Sequence, residues 1–331
     1  MDRLSKPRLA GLLLSLLALP VCADTTPNTT EPGWLSITGA WLETQRDDLS
    51  EVVLNSAAGI DGYIARDDIT EPLVNESYVR VRMRERLEKG GERNFDADIK
   101  AKLKLPHTKN QLRLTFDSDP DDFESISNRR RDQGPASSSR RDLENTTVVG
   151  LGYLSELGRH WKSDYNVGIR LHIPLNPYAR ANFSRVIELP DNWQTILQQK
   201  FSYFHEERFR AETSVDFFRP LTERLTFQSS TAGQFIDRDD NWELYQALSL
   251  HQSLTHRSAF QHQIGVSGDT RPRTQTRDYW IRTEYRHQLY KNWLYGKIAP
   301  ELFFTRDNNF RLEPILTFEL ELFFGYAEDR I

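Results

Sequence analysis

Between Asn94 and Leu105 the chain alternates without a break. Phe95, Ala97, Ile99, Ala101, Leu103 and Leu105 fall on one side of an extended backbone, and Asp96, Asp98, Lys100, Lys102 and Lys104 on the other. Successive side chains of a strand point to opposite faces, so the pattern predicts a strand with one uncharged face and one fully charged face. The pattern recurs. "YVRVRMRERL" sets Val79, Val81, Met83 and Leu87 against Arg80, Arg82, Arg84 and Arg86. "LRLTF" and "TVVGLGYL" follow, then "DYNVGIRLHIPL", with Tyr165, Val167, Ile169, Leu171 and Ile173 opposite Asn166, Gly168, Arg170 and His172. Weaker segments occupy 183–189 and 193–204, and "RFRAETSVDFF" restores the alternation. Further runs begin near Leu225, Trp242, Ala259, Tyr279 and Trp293, and the last, "RLEPILTFELELFFG", opposes Leu316, Phe318, Leu320, Leu322 and Phe324 to Glu313, Thr317, Glu319 and Glu321.

The total is about fourteen strands, within a range of roughly 12 to 16, each about ten residues long. Their connections alternate. "PHTKN", "LGRHW", "PDN", "RPLTE", "LTHRS" and "YKN" read as short turns, whereas "DSDPDDFESISNRRRDQGPASSSRRDLEN", "IDRDDN", "SGDTRPRTQTRD" and "FTRDNNF" read as longer polar loops. Residues 24–75 differ from the rest: a Thr/Pro/Asn-rich start gives way to helical spacing at Val52, Val53, Ala57 and Ile60, which predicts a short amphipathic helix.

Composition alone describes an ordinary soluble chain: 331 residues, 27% charged, formal net charge -5, mean hydropathy -0.63. The first 23 residues change that picture, because a basic start, the apolar run "LAGLLLSLLALPV" and the small-residue signal "VCA" predict a secretory signal peptide cut after Ala23. The single cysteine, Cys22, lies inside it, so the mature chain carries no disulfide. No later stretch reaches the roughly 20 apolar residues of a membrane helix, so residence in a membrane requires a closed barrel.

Alternating strands, short and long connections and an aromatic closing strand resemble Gram-negative outer-membrane β-barrel proteins of the porin-like kind over 76–325, departing from them in the tail "YAEDRI" after Phe324-Gly325. The resemblance implies an all-β, antiparallel up-and-down transmembrane barrel, with 1–23 as signal peptide, 24–75 as a periplasmic segment whose helix packs beneath the barrel, plugs it or docks a partner, 76–325 as the barrel and 326–331 as a tail. It implies outer-membrane lipids including lipopolysaccharide, the barrel-assembly machinery and a periplasmic protein as partners, with no nucleic acid, cofactor or metal. Trp161, Tyr165, Trp193, Tyr203, Trp242, Tyr279, Tyr290 and Trp293 are candidates for interfacial girdles.

In such a barrel the apolar faces meet lipid and the charged faces line the lumen. Period two assigns Arg80, Arg82 and Arg84 to the lumen on the first strand, Asp96, Asp98, Lys100, Lys102 and Lys104 on the second, and Glu313, Glu319 and Glu321 on the last. First and last strands adjoin in a closed ring, so arginines face glutamates, either as a seam of ion pairs that fixes register or as a polarised wall for a charged solute. Arg170, His172, Lys200, Arg208, Arg210, Glu212, Asp216, Arg282, Glu284, Arg286, Lys297 and Glu301 are further lumenal candidates. A barrel this wide admits water unless the N-terminal segment fills it.

Catalytic patterns are weak. His262 falls on the lipid side near Gln252 and Thr283 with no serine beside it, "HEER" at 205–208 lacks the second histidine of a zinc-protease helix, and Gly150 with Gly152 precedes no helix that could make a phosphate loop. The basic "NRRR" at 128–131 and "RR" at 140–141 read as part of a solvated loop, or as contacts for lipopolysaccharide phosphates. The sequence therefore favours a non-enzymatic passive channel for small hydrophilic solutes. A non-conducting envelope scaffold docking a partner through 24–75 is the alternative, and a lipid-modifying barrel enzyme a third reading.

Overall fold

The computed structural model describes residues 46–47, 50–51, 77–105, 112–118, 125–131, 147–157, 160–171 and 174–325. The expected signal peptide, most of the expected N-terminal helix, His172 and the C-terminal tail lie outside these residues.

Fourteen antiparallel strands close into one barrel. They are β1 (Tyr78–Leu87), β2 (Arg93–Lys104), β3 (Leu112–Asp117), β4 (Thr147–Leu157), β5 (Trp161–Leu171), β6 (Asn176–Leu189) and β7 (Trp193–Phe204). The second half comprises β8 (Arg208–Thr222), β9 (Leu225–Ile236), β10 (Asn241–Thr255), β11 (Ser258–Asp269), β12 (Gln275–Tyr290), β13 (Leu294–Thr305) and β14 (Leu312–Gly325). Each strand pairs with its neighbours in sequence, and β1 pairs with β14, which leaves no free sheet edge. One helix, α1 (Ile126–Arg131), is described in the connection between β3 and β4. The fold is a closed, antiparallel up-and-down β-barrel.

The alternation seen in the sequence maps onto the two faces. Large apolar residues are exposed on the convex face, among them Ile99, Leu151, Val167, Ile264, Ile281, Ile298 and Phe318. Charged residues are buried on the concave face, among them Arg82, Arg84, Asp98, Arg282, Glu284, Lys297 and Glu319. Ion pairs that skip a strand, Arg113 on β3 with Asp164 on β5 and Arg286 on β12 with Glu321 on β14 at 2.7 Å, identify that face as concave, where side chains from alternate strands converge.

The expected long loops shrink. β9 runs through Ile236, β11 to Asp269 and β13 to Thr305, leaving only a 3₁₀ turn at Asp237–Asp239, residues 270–274 and a second 3₁₀ turn at Arg306–Asn308. These polar strand ends stay ordered through their own pairs: Arg306 Nη2 reaches Asp269 at 2.9 Å, and Thr270 N–H donates to Asn241 Oδ1 at 3.1 Å. Strands that project beyond an apolar belt need no apolar alternation, so loop-like composition misled the reading there. The connection at 118–146 remains long.

The aromatic candidates divide. Tyr203, Trp242, Tyr279 and Tyr165 are exposed on the convex face, and Trp161, Trp193 and Tyr290 are half-buried. Trp293 is not a girdle residue. It is buried in the turn before β13, where Phe323 N–H donates to its carbonyl at 2.9 Å and its ring meets Tyr290 edge-on in a cluster with Tyr295 and Phe323.

At the rim that carries the start of β1 and the end of β14, the residues described from the N-terminal segment clasp the closing strand. Ser50 Oγ accepts from Gly325 N–H at 2.8 Å, and Arg46 Nη2 donates to Gly325 O at 3.0 Å. Both backbone groups of this left-handed glycine (φ 84°) are thereby satisfied where β14 has no further strand residue to pair.

Candidate functional site

The candidate site is the lumen, and its largest feature is one that the sequence reading placed in solvent. The chain leaves β3 at Ser118, whose N–H donates to Ile99 O at 3.0 Å and whose hydroxyl accepts from Ile99 N–H at 2.8 Å. When it is next described, at Ser125, it stands against the wall formed by β8 to β13. In a ring of fourteen, β10 lies seven strands from β3, directly across the barrel. The basic run 128–131 is therefore neither a solvated loop nor free to meet lipid phosphates: α1 is packed inside the barrel.

Two kinds of contact hold it. The first is apolar. Ile126, fully buried, packs with Ala232, Tyr245, Ala247 and Trp280, and Phe303 closes the cluster. Tyr245 and Trp280 stack at 5.6 Å. The Trp280 indole lies over Gly265, its register partner on β11, where any Cβ would enter the ring's van der Waals shell, and its N–H donates to Gln263 Oε1 at 2.9 Å. The second kind is ionic. Arg129 pairs with Glu212 and donates to Gln234 Oε1 at 3.0 Å; Arg130 reaches Glu212 at 3.0 Å and Asp216 at 3.7 Å; Arg131 lies 3.4 Å from Glu301, with its guanidinium 4.4 Å from the Phe303 ring centroid. Backbone groups join in: Ile126 N–H donates to Glu243 Oε2 at 2.7 Å, and Tyr245 Oη donates to Arg130 O at 3.2 Å. Arg277 ties Glu243, Asp278 and Ser125 together at 3.0 to 3.1 Å.

The wall beyond α1 carries two runs of ion pairs. Arg282 lies 3.2 Å from Glu284 and 3.8 Å from Glu301, the partner of Arg131. Lys297 bridges Glu284 at 3.7 Å and Glu319 at 2.9 Å, Arg84 binds Glu319 at 3.0 Å, and Arg286 binds Glu321 at 2.7 Å. On β1, Arg82 pairs with Asp98 of β2, and Arg80 spans Asp98 at 3.3 Å and Glu321 at 3.8 Å. The first and last strands thus adjoin with arginine beside glutamate, but the arginines divide between β14 on one side and β2 on the other. Desolvated charges of this density persist only when every carboxylate has cationic partners.

The remaining predicted positions are spread round the ring, on β2, β5, β8 and β14. Lys100 pairs with Asp117 at 2.7 Å. Lys102, Asp96 and Arg210 are half-buried, Arg170 is buried against Glu207, and Glu313 accepts from Asn308 at 2.7 Å. Glu207 belongs to the "HEER" turn, and its second oxygen accepts from Asn176 Nδ2 at 2.8 Å. Tyr178 lies over Gly150 and Gly168, and the Arg180 guanidinium covers the Tyr178 ring at 4.3 Å. Those two glycines are register partners whose missing side chains make room for a lumenal aromatic. Beside the turn at 190–192 the inward positions Val186, Glu188, Gln194 and Gln198 of β6 and β7 remain exposed and Asn182, Ser184 and Lys200 half-exposed, whereas Asn176, Tyr178, Ser202 and Phe204 toward the other end of these strands are buried. The lumen is filled along β12 to β14 and open beside β6 and β7 toward that turn.

On the convex face His262 Nδ1 lies 3.1 Å from Thr283 Oγ1, and its ring stacks on Phe260 at 5.6 Å. Gln252 is the register partner of Phe260, two pairs along the ladder from His262. Among the described residues no group of three or more His, Cys, Asp and Glu is arranged to hold a metal ion.

No family model matches the chain, and no curated protein matches it significantly. Among solved structures it is similar to a loop-deletion form of OmpT, an outer-membrane protein of Vibrio cholerae, at 6% identity and TM-score 0.46 over 77% of this chain and 100% of that one. It is also similar to the outer-membrane channel DcaP of Acinetobacter baumannii, at 7% identity and TM-score 0.43 over 76% and 97%, and to the KdgM porin, at 6% identity and TM-score 0.35 over 73% and 98%. Likeness this distant transfers no substrate and no mechanism.

Proposed function

We propose that this chain is a bacterial outer-membrane channel through which small hydrophilic solutes diffuse passively, along the arc of β4 to β7 and past α1. The observation that carries the reading is the uneven filling of the lumen: sealed by α1 and its ion network on one side, exposed along the halves of β6 and β7 nearest their turn on the other. The exposed Leu, Ile, Val and Phe of the convex face suit hydrocarbon, and a closed sheet is the only strand architecture that satisfies its backbone there. α1 narrows the path by occupying lumen that a barrel of this size otherwise leaves to water. Purified protein in a planar bilayer should show discrete conductance steps, and replacing residues 125–131 with a Gly/Ser segment should enlarge them. A barrel that stays silent in both forms would refute the channel.

A second reading, an envelope scaffold that docks a periplasmic protein through residues 24–75, draws support from the clasp of Arg46 and Ser50 on Gly325, which holds these two residues at the terminal rim. Site-specific crosslinking from Trp41 and Leu54 tests it; crosslinks confined to the barrel itself would count against a partner.

A further inference from the structure

The wall that receives α1 is built as a row of acceptors. Glu212 on β8, Gln234 on β9 and Glu243 on β10 are register partners, so three inward side chains bearing acceptor oxygens stand side by side across neighbouring strands. In the next row Ser214, Ala232 and Tyr245 follow, and Asp216 heads the row after that. Glu212 is also the register partner of Lys200 on β7, so the row begins at the edge of the open side of the lumen. What fills this surface is guanidinium. Glu212 accepts from Arg129 with one carboxylate oxygen and from Arg130 Nε with the other at 3.0 Å, while Arg129 also donates to Gln234 Oε1 at 3.0 Å. α1 is nonetheless an imperfect occupant. Ser214 is 2% exposed and Ser127 fully buried, yet each hydroxyl lacks a hydrogen-bond partner among the described residues, as does Arg131 Nε. Both described backbone bonds from α1 to the wall end on side chains, Glu243 and Tyr245, rather than on a strand ladder.

We propose that the acceptor row of β8 to β10 is a binding site for guanidinium-bearing solutes, and that α1 occupies it as a built-in competitor. The inference rests on the channel reading above and names the class of solute that the lumen favours. The five N–H donors of a guanidinium lie in one planar fork, so a single group can serve a carboxylate and a carboxamide at once, as Arg129 does between Glu212 and Gln234. The same plane stacks on a ring, as Arg131 does on Phe303. An ammonium is a hydrated point charge and does neither as well. The buried hydroxyl of Ser214 is a cost that the seat bears with α1 in it, and a solute free to adjust its position can relieve that cost by donating to it. Competition then follows mass action: a solute that binds the seat displaces α1 in proportion to its concentration, and the tether of α1 to β3 and β4 raises the concentration required.

The test replaces residues 125–131 with a Gly/Ser segment in the full chain and confirms folding by heat-modifiable mobility. The detergent-solubilised barrel is then titrated by calorimetry with arginine amide and with lysine amide, probes of equal charge that differ in the cationic head. Arginine amide should bind about tenfold or more tightly than lysine amide, as expected for a forked pair against a point charge, and Glu212→Gln in the same background should abolish the difference. Wild type, with α1 in the seat, should bind arginine amide about tenfold or more weakly than the emptied barrel. If the replacement does not fold, Arg129→Ala with Arg130→Ala empties the Glu212 seat at unchanged chain length and takes its place in the titration. Equal affinity for the two probes, no binding of either, a preference that survives Glu212→Gln, or wild type binding as tightly as the emptied barrel would overturn the proposal. In planar bilayers arginine amide should interrupt the current of the emptied barrel. A barrel that binds arginine amide selectively but conducts nothing keeps the site and loses the channel, whereas one that conducts and shows no preference loses the site and keeps the channel.

Discussion

Gly265 shows how much one hydrogen atom in place of a side chain decides inside this barrel. The residue faces the lumen opposite Trp280, and the indole lies flat against its backbone, where it stacks on Tyr245 and donates to Gln263. Tyr245 in turn donates to Arg130 O and packs on Ile126, so the support of α1 begins at this glycine. Gly265→Val should force the indole out of its place at a cost of about 1–3 kcal/mol, the range for overpacking a filled interior. The unfolding midpoint of the lipid-embedded protein in guanidinium should fall accordingly, and single-channel conductance should rise as α1 loses its apolar seat. An unchanged conductance would mean that α1 is held by its arginines alone. Period two puts Gly265 and Trp280 on the inward face, and that much is legible in the sequence. That they sit opposite each other depends on the register of β11 with β12, which alternation cannot supply.

At the scale of elements, the strands were readable and the inserted helix was not, for a physical reason. A strand announces itself locally, because its two solvents are imposed on neighbouring residues: "YVRVRMRERL" matches β1, Tyr78–Leu87, end to end. α1 has no such signature. Its three arginines follow a Ser- and Asp-rich stretch that would suit water equally well, and the acids that receive them, Glu212, Asp216 and Glu301, are remote in sequence and meet only when the ring closes. The available signal was a single long connection joined to a cluster of arginines, combined with unmatched carboxylates on strands across the barrel. Glu212 holds two of the three arginines, so Glu212→Ala should leave two buried cations short of an acceptor, a loss of about 3–5 kcal/mol for a broken buried pair. Most of that loss should appear as release of α1 rather than as loss of the barrel, because the sheet's own hydrogen bonds are untouched. Limited trypsin digestion reads it directly, with cleavage after Arg129, Arg130 or Arg131 fast in the variant and slow in wild type. Equal cleavage rates would place the latch elsewhere.

The molecule as a whole depends on the meeting of its first and last strands, and the charges there can be used to test closure. β1 and β14 pair in a register that sets Arg84 opposite Glu319 and Arg82 opposite Glu321. A slip by one residue would turn either the arginines of β1 or the glutamates of β14 toward lipid, so the ionic face specifies the register of closure along with the backbone. Arg84→Glu should set two carboxylates against each other in a dry wall and impair assembly, seen as a smaller folded fraction by heat-modifiable mobility. Glu319→Arg should be worse, because it also confronts Lys297, which lies 2.9 Å from Glu319, and Arg84 at 3.0 Å. The double exchange Arg84→Glu with Glu319→Arg restores attraction across the seam but leaves a cation beside Lys297, so rescue should be partial; adding Lys297→Gln should complete it. Full rescue by the double exchange would show that Lys297 is held by Glu284, 3.7 Å away, rather than by Glu319. No rescue in the triple variant would show that the seam is fixed by the backbone ladder and by the clasp of Arg46 and Ser50 on Gly325, with the ion pairs following closure instead of directing it.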